Sequence, residues 1–278
     1  MTSEPPQANA ACEEHHVHEP LPLAGRVAIV TGGGRGLGRA MTLGLAKAGA
    51  AVIATAAREP GEIESLSAAA PEGRIAPLIA DVTREEDCAR AVATALERFG
   101  RLDILVNNAG RGMKYVSENF MTEPTRFWET TPEAWRLIID TNVVGPFLMA
   151  RAATPVMLAA GWGRIVNISM NTETMRRRGF SPYGPSKAAL ESETIIWAQD
   201  LAGSGVTVNA LLPGGATRTG MIPKNFPAEL RAKLIDPAIM MAPLLWLAST
   251  KSDGFTGRRF VAAQWREEEA GAAAAAGW

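Results

Sequence analysis

The feature that most limits how this chain can fold is a short β-branched run that ends in glycines. Val27-Ala28-Ile29-Val30 reads as a strand covered on both faces. It passes directly into Thr31-Gly32-Gly33-Gly34-Arg35-Gly36-Leu37-Gly38 and then into a helical stretch from Ala40 to Lys47. Strand, glycine loop and helix in that order form a setting in which backbone N–H groups and a helix N-terminus can hold a pyrophosphate. Glycine permits the tight turn and the close approach of backbone to ligand. The spacing Gly32-x-x-x-Gly36-x-Gly38 departs from the G-x-G-x-x-G fingerprint, and three consecutive glycines can equally form a plain turn.

Beyond this unit, strand-like and helix-like segments alternate. Candidate strands are 26–31, 51–56, 75–80, 102–107, 163–169, 206–211 and 258–262; candidate helices are 36–48, 84–99, 132–160, 183–203 and 237–249. Such alternation predicts an α/β fold whose parallel sheet is covered by helices on both faces. Pro146 and Pro155 predict a bend or break in helix 132–160. Segment 111–131 reads as a long structureless loop with Phe120, Phe127 and Trp128, and long loops in compact domains are often functional. The expected organisation is a disordered tail over 1–23, one domain over 24–262 and a low-complexity tail over 263–278.

Composition removes several function classes. At 278 residues the chain suits one large α/β domain, and a net charge of −1 makes no electrostatic case for nucleic acid. The two cysteines, Cys12 and Cys88, exclude a disulfide framework and favour a reducing, cytoplasmic setting. The first residues lack the basic and apolar regions of a signal peptide. Val143 to Leu158 is interrupted by Pro146, Arg151 and Pro155, so no membrane span is expected. His15, His16 and His18 are the only histidines, and their cluster reads as a solvated tail, with no metal site expected.

Proton transfer in the body of the chain therefore needs another side chain. Tyr183 and Lys187 stand four residues apart in Tyr183-Gly184-Pro185-Ser186-Lys187. A free tyrosine has a pKa of about 10 and exchanges protons poorly at neutral pH. An ammonium one helical turn away stabilises the phenolate and lowers that pKa. The pair alone is also compatible with a solvated helix.

Together these motifs point one way. The glycine loop, Asn107-Asn108-Ala109-Gly110, Asn142, the Tyr183/Lys187 pair and Pro213-Gly214 occur in one order and at one spacing. In this the chain resembles the short-chain dehydrogenase/reductase family over about residues 24 to 262. The resemblance implies a single Rossmann-type doubly wound parallel sheet of about seven strands. It implies carbonyl reductase or alcohol dehydrogenase activity, and a homodimer or homotetramer built on the helices 132–160 and 183–203. Trp135, Phe147, Ile195 and Trp197 are candidates for that surface, with intradomain core the plainer reading of each. No nucleic-acid or membrane partner is implied.

The resemblance also assigns roles. Gly32, Gly36, Leu37 and Gly38 would hold the cofactor phosphates; Asp81 would accept from the adenine amino group, assisted by the Val82 backbone; Asn108, Ala109 and Gly110 would pass along the ribose. Pro213, Gly214, Ala216 and Thr217 would meet the nicotinamide, with Thr217 and Thr219 both open as carboxamide partners. Asn142 would hold a water in a proton relay, Tyr183 would be the general acid/base, and Lys187 would lower its pKa and bind the ribose.

Two departures matter. NAD-binding folds carry an acidic residue at the end of the second strand. Ala56 stands there, while Arg35 in the glycine loop and Arg58 nearby offer cations for a 2′-phosphate, so NADP(H) is expected over NAD(H). The plainer reading makes both arginines ordinary surface charges. The second departure concerns the serine that the family places 13 residues before the tyrosine, where this chain has Met170. A thioether cannot donate a hydrogen bond. Ser169, Asn171 and Thr172 are the candidate replacements, although Ser169 should face away because side chains alternate along a strand. The expected function is an NADP(H)-dependent oxidoreductase acting on a ketone or secondary alcohol. The alternative is a non-catalytic NADP(H)-binding sensor or scaffold. The substrate is not legible; Phe120, Phe127, Trp128, Met221 and Phe226 suggest an apolar pocket or mere packing.

Overall fold

A computed structural model describes residues 21–71 and 73–270. The histidine cluster, Cys12 and residues 271–278 lie outside the described residues. Seven parallel strands form one sheet in the order β3-β2-β1-β4-β5-β6-β7. They are β1 Val27–Val30, β2 Ala51–Ala56, β3 Ile75–Ile79, β4 Ile104–Asn107, β5 Gly163–Ile168, β6 Val206–Leu212 and β7 Arg259–Val261. The helices are α1 Gly36–Lys47, α2 Pro60–Ser67, α3 Glu85–Phe99, α4 Pro132–Ile139, α5 Gly145–Ala160, α6 Thr172–Met175, α7 Tyr183–Asp200, α8 Ala228–Arg231 and α9 Met241–Leu247. The expected doubly wound sheet is present, and the strand order reverses between β1 and β4. Ligands in such sheets sit at the carboxyl ends of strands beside that reversal.

The two faces follow from the period of two along each strand. Ala28 and Val30 of β1 pack with α1, α2 and α9 through Met41, Leu45, Ile63 and Leu244. Val27 and Ile29 pack with α3 and α5 through Cys88, Ala91, Met149 and Ala153. Each fully buried aliphatic side chain contributes about 1.5–3 kcal/mol before the cost of ordering it. Local signals set the ends of the helices: α3 opens with Glu85, Glu86 and Asp87 and closes on Gly100 at φ 77°, while Thr131 caps α4 by accepting from Ala134 N at 3.2 Å.

Several expectations need correction. Helix 132–160 changes its winding at a π-helical turn, Asp140–Val144, upstream of both prolines, and Pro155 stays within α5. The stretch Pro132–Ala160 is also long and apolar enough by composition to cross a membrane, with mean hydropathy 1.5, contrary to the expectation from its prolines and Arg151. Here its inner face packs on α3 and the sheet, as a core helix does. Segment 111–131 contains 3₁₀ turns at Met113–Tyr115 and Phe127–Glu129, so it is not structureless. Helix α2 was not anticipated. Near the ends of the described residues, Leu23 and Ala270 are buried, and Trp265 meets Trp246 and Phe260 at inclined ring angles.

Candidate active site

The glycine loop leaves β1 and enters α1 through two left-handed residues, Gly32 at φ 62° and Gly36 at φ 53°. A Cβ on Gly38 would stand 2.0 Å from the Gly32 carbonyl, so the loop closes on itself only because that position is glycine. Arg35 precedes α1 without a side-chain cap, so the first amides of the helix remain available for an anion. Asn108 braces the loop from β4, donating from Nδ2 to the carbonyls of Thr31 at 2.8 Å and Gly32 at 3.0 Å. Ala109 N donates to Thr31 Oγ1, and Gly110 abuts Asn142. Glycine cradle, uncapped helix and strand-end position together fit a dinucleotide phosphate.

At the expected adenosine end, Ala56 is buried at the end of β2 and Arg58 is exposed. Arg35 is not free. Its Nη1 lies 2.8 Å from Glu62 Oε1 on α2, a partner that sequence reasoning missed because α2 itself was missed. Asp81 accepts from the backbone and hydroxyl of Thr83, at 3.0 and 2.8 Å, and Val82 is buried against Gly145. Leu37 packs partly against the core.

Past β6, Pro213 is buried and its carbonyl accepts from Ala263 N. Gly214 adopts φ 96°, and Ala216 is exposed. Thr217 is buried, with its hydroxyl bonded to the Gly215 carbonyl, whereas Thr219 lies against the glycine loop, where a Cβ on Gly36 would come within 3.1 Å of it. Of the two threonines, Thr219 is the one beside the loop.

Tyr183 opens α7, half-buried, and Lys187 stands one turn on, buried. Contrary to the lowering expected from Lys187, burial pushes the Tyr183 phenol up to about 12. Burial lowers the Lys187 ammonium to about 8, opposed by the Glu191 carboxylate. Lys187 Nζ donates to the Ile168 carbonyl at 2.7 Å. Asn142 sits in the π-helical turn, fully buried, and π turns often mark functional positions. Its side-chain amide is engaged: Nδ2 donates to Ser186 Oγ at 2.9 Å and to the Arg111 carbonyl at 3.0 Å, and Oδ1 accepts from Arg111 N at 2.8 Å. The asparagine thus ties α7 to the segment leaving β4.

Ser169 points away from this group. Its hydroxyl donates to Glu191 Oε1 at 2.6 Å, as strand alternation predicts for the residue before Met170. Asn171 Nδ2 donates to the Gly214 carbonyl at 2.9 Å, and Thr172 begins α6 with its side chain exposed. Met170 joins Met113, Met175 and Phe180 in an apolar cluster that Val116, Phe120 and Tyr183 border. Phe120 meets Phe180 edge-on at 5.9 Å, but Phe127 and Trp128 meet only each other, also edge-on, each 66% exposed, and contribute no such wall. The phenol is therefore enclosed by thioethers and rings, and a ketone bound beside it would meet an adaptable apolar surface.

Residues 26–230 match the family model for short chain dehydrogenases. The chain belongs to the short-chain dehydrogenase/reductase family. A short chain dehydrogenase from Monascus purpureus is 34% identical over 264 residues, 92% of this chain and 83% of that protein. The crystal structure of a 3-ketoacyl-(acyl-carrier-protein) reductase from Brucella melitensis complexed with NADH matches with TM-score 0.75 and 30% identity, covering 85% of this chain and 96% of that one. A putative NAD(P)-dependent gluconate 5-dehydrogenase from Beutenbergia cavernae with bound NADP matches with TM-score 0.74 and 29% identity, covering 88% and 97%.

Proposed function

We propose that this short-chain dehydrogenase/reductase is an NADP(H)-dependent oxidoreductase acting on an apolar ketone or the corresponding secondary alcohol. The single observation that carries this reading is half-buried Tyr183 bordering an apolar cluster at the carboxyl ends of β4 and β5, with buried Lys187 one helical turn on. When bound, the nicotinamide supplies or accepts a hydride at the carbonyl carbon. The chain's own residues do the rest. The loop Gly32–Gly38 and the start of α1 hold the phosphates. Asp81, Val82, Asn108, Ala109 and Gly110 line the adenosine and ribose path, and Pro213, Gly214, Ala216 and Thr219 cover the nicotinamide end. Tyr183 gives its phenolic proton to the substrate oxygen during reduction and takes it back during oxidation. The Lys187 ammonium offsets the negative charge left on the phenol, which burial alone disfavours. Asn142 fixes the entry of α7 through Ser186. Arg35 and Arg58 favour a 2′-phosphate, so NADP(H) is the preferred cofactor, and the cysteine-poor chain suits a reducing, cytoplasmic compartment.

A second reading rests on one specific observation. Ser169 is committed to Glu191, Asn171 to Gly214, Thr172 is exposed, and Met170 replaces the serine, so none of these four positions offers a buried, uncommitted donor beside Tyr183. Loss of one such donor costs about 2.7–4 kcal/mol at an oxyanion site. A chain without it would serve as an NADP(H)-binding sensor or scaffold. Turnover of a carbonyl panel with NADPH separates the readings. Tyr183→Phe should remove nearly all turnover while leaving NADPH binding within about twofold of the parent, because the phenol oxygen moves the proton and the glycine loop holds the phosphates. Carbonyl reduction that survives Tyr183→Phe unchanged would refute the mechanism.

A further inference from the structure

Lys187 rests beside a buried charge pair that the chemistry above leaves unused. Glu191 lies one turn beyond it on α7, 9% exposed, and Arg259 opens β7, 8% exposed. Arg259 Nε donates to Glu191 Oε1 at 2.9 Å, and its Nη2 donates to the Met170 carbonyl at 2.9 Å. The same Glu191 oxygen accepts from Ser169 Oγ at 2.6 Å. Lys187 Nζ holds the carbonyl one residue earlier, at Ile168. Three consecutive residues at the end of β5 are thus each gripped by a different charged side chain: Ile168 by Lys187, Ser169 by Glu191 and Met170 by Arg259.

A buried ion pair is an expensive way to stabilise a fold. Both charges lose their hydration, and well-packed apolar residues of similar volume often do as well or better. This pair spends its hydrogen bonds on one place, the strand end beneath the phenol. A third element, β7, is thereby tied to the two that carry Tyr183, Lys187 and Met170. Glu191 also acts on Lys187 through space, favouring the charged ammonium that burial disfavours.

We propose that Glu191 and Arg259 are positioning residues for the Tyr183–Lys187 pair: Arg259 locks the carboxylate and the Met170 carbonyl together, and the locked carboxylate holds the β5 end and the Lys187 ammonium in working register. The proposal rests on Tyr183 and Lys187 being the proton-transfer pair. Lys187 meets the Ile168 carbonyl, which accepts from its Nζ, and feels the Glu191 carboxylate one turn on, which in turn holds the Ser169 hydroxyl and Arg259 of β7 on its far side; Tyr183 lies one turn before it. A charge change at Glu191 or Arg259 therefore reaches Lys187 with a definite sign.

The sign supplies a test that does not depend on turnover. The lysine side chains are followed by NMR through a pH titration, and the Lys187 signal is assigned by its loss in Lys187→Arg. In Glu191→Gln a negative charge is gone and the Arg259 cation is uncompensated, so the Lys187 midpoint should fall by about one pH unit. In Arg259→Gln the uncompensated carboxylate should raise it by a similar amount. The double variant Glu191→Gln/Arg259→Gln should return near the parent midpoint, while its kcat/KM stays down roughly tenfold or more because the strand end is no longer held. Arg259→Lys should restore part of that loss. A role confined to stability would lower the melting temperature without opposed midpoints. Midpoints that move together, or not at all, overturn the proposal. Where a single variant does not fold, the double variant decides: full kcat/KM in it overturns the proposal, and a loss with NADPH affinity within about twofold sustains it. Loss of the mechanism itself would appear separately, as turnover surviving Tyr183→Phe.

Discussion

The Arg35–Glu62 pair makes cofactor choice open to a quantitative test. Arg35 is the loop cation expected to meet a 2′-phosphate, yet its guanidinium is held 2.8 Å from Glu62, with the two side chains 60% and 23% exposed. An ion pair this open is worth about 0–1 kcal/mol. A charge-assisted bond from Arg35 to a phosphate is worth about 1.5–3 kcal/mol. Breaking or sharing the existing pair subtracts from that gain, leaving about 1–2 kcal/mol in favour of NADPH. Arg35→Ala should therefore weaken NADPH about 5- to 30-fold, with NADH changed less than about twofold. Glu62→Gln releases the guanidinium and removes a carboxylate from beside the incoming phosphate. It should strengthen NADPH by up to about fivefold and leave NADH alone. Quenching of intrinsic tryptophan fluorescence at fixed ionic strength measures all six affinities, two cofactors for the parent and each variant. Equal weakening of both cofactors by Arg35→Ala, or weaker NADPH binding in Glu62→Gln, would refute the reasoning. So would parent protein that binds NADH as tightly as NADPH.

Three further outcomes are expected. Met170→Ser should raise kcat/KM on a reducible ketone by about tenfold or more if the site lacks only its donor; no turnover in parent or variant favours the sensor reading. Burial raises the Glu193 carboxyl from 4.5 to about 7, and its Oε2 has no hydrogen-bond partner. With the folded value above the unfolded one, the native state binds the extra proton, so this group's contribution is greatest at low pH and is lost as pH rises through about 7. Glu193→Gln should then stabilise by roughly 1–2 kcal/mol at pH 8, discounted for partial solvent screening, and much less at pH 5; thermal melts at both values check the difference. Assembly through α5 and α7 is proposed from exposed Phe147 and Trp135; of the other candidates, Ile195 is half-buried while its neighbour Ile196 is exposed, and Trp197 packs against the core that includes α5. Light scattering should give a dimer or tetramer at micromolar concentration, and a monomer would contradict it.

The sequence by itself determined the sheet and the positions of the motifs. β-branched runs alternating with amphipathic helices have few solutions besides a parallel sheet covered on both faces, and its ligand site must lie at the strand ends. The Tyr183/Lys187 spacing placed both groups on one side of α7 because helical geometry is local. Signals with two meanings were lost: Pro60 and Gly61 are common in turns, but proline also suits the first turn of a helix, and α2 went unseen with Glu62 upon it. The π-helical turn at Asn142 has no local marker, because packing of α4 and α5 against α3 and α7 selects it over a regular turn. Only the tertiary structure decided what the charged residues do. Arg35 meets Glu62 across 27 residues, and Arg259 meets Glu191 across 68. Such partners come together when the chain closes, because Coulomb and hydrogen-bond energies act over a few ångströms of space and carry no trace in sequence distance.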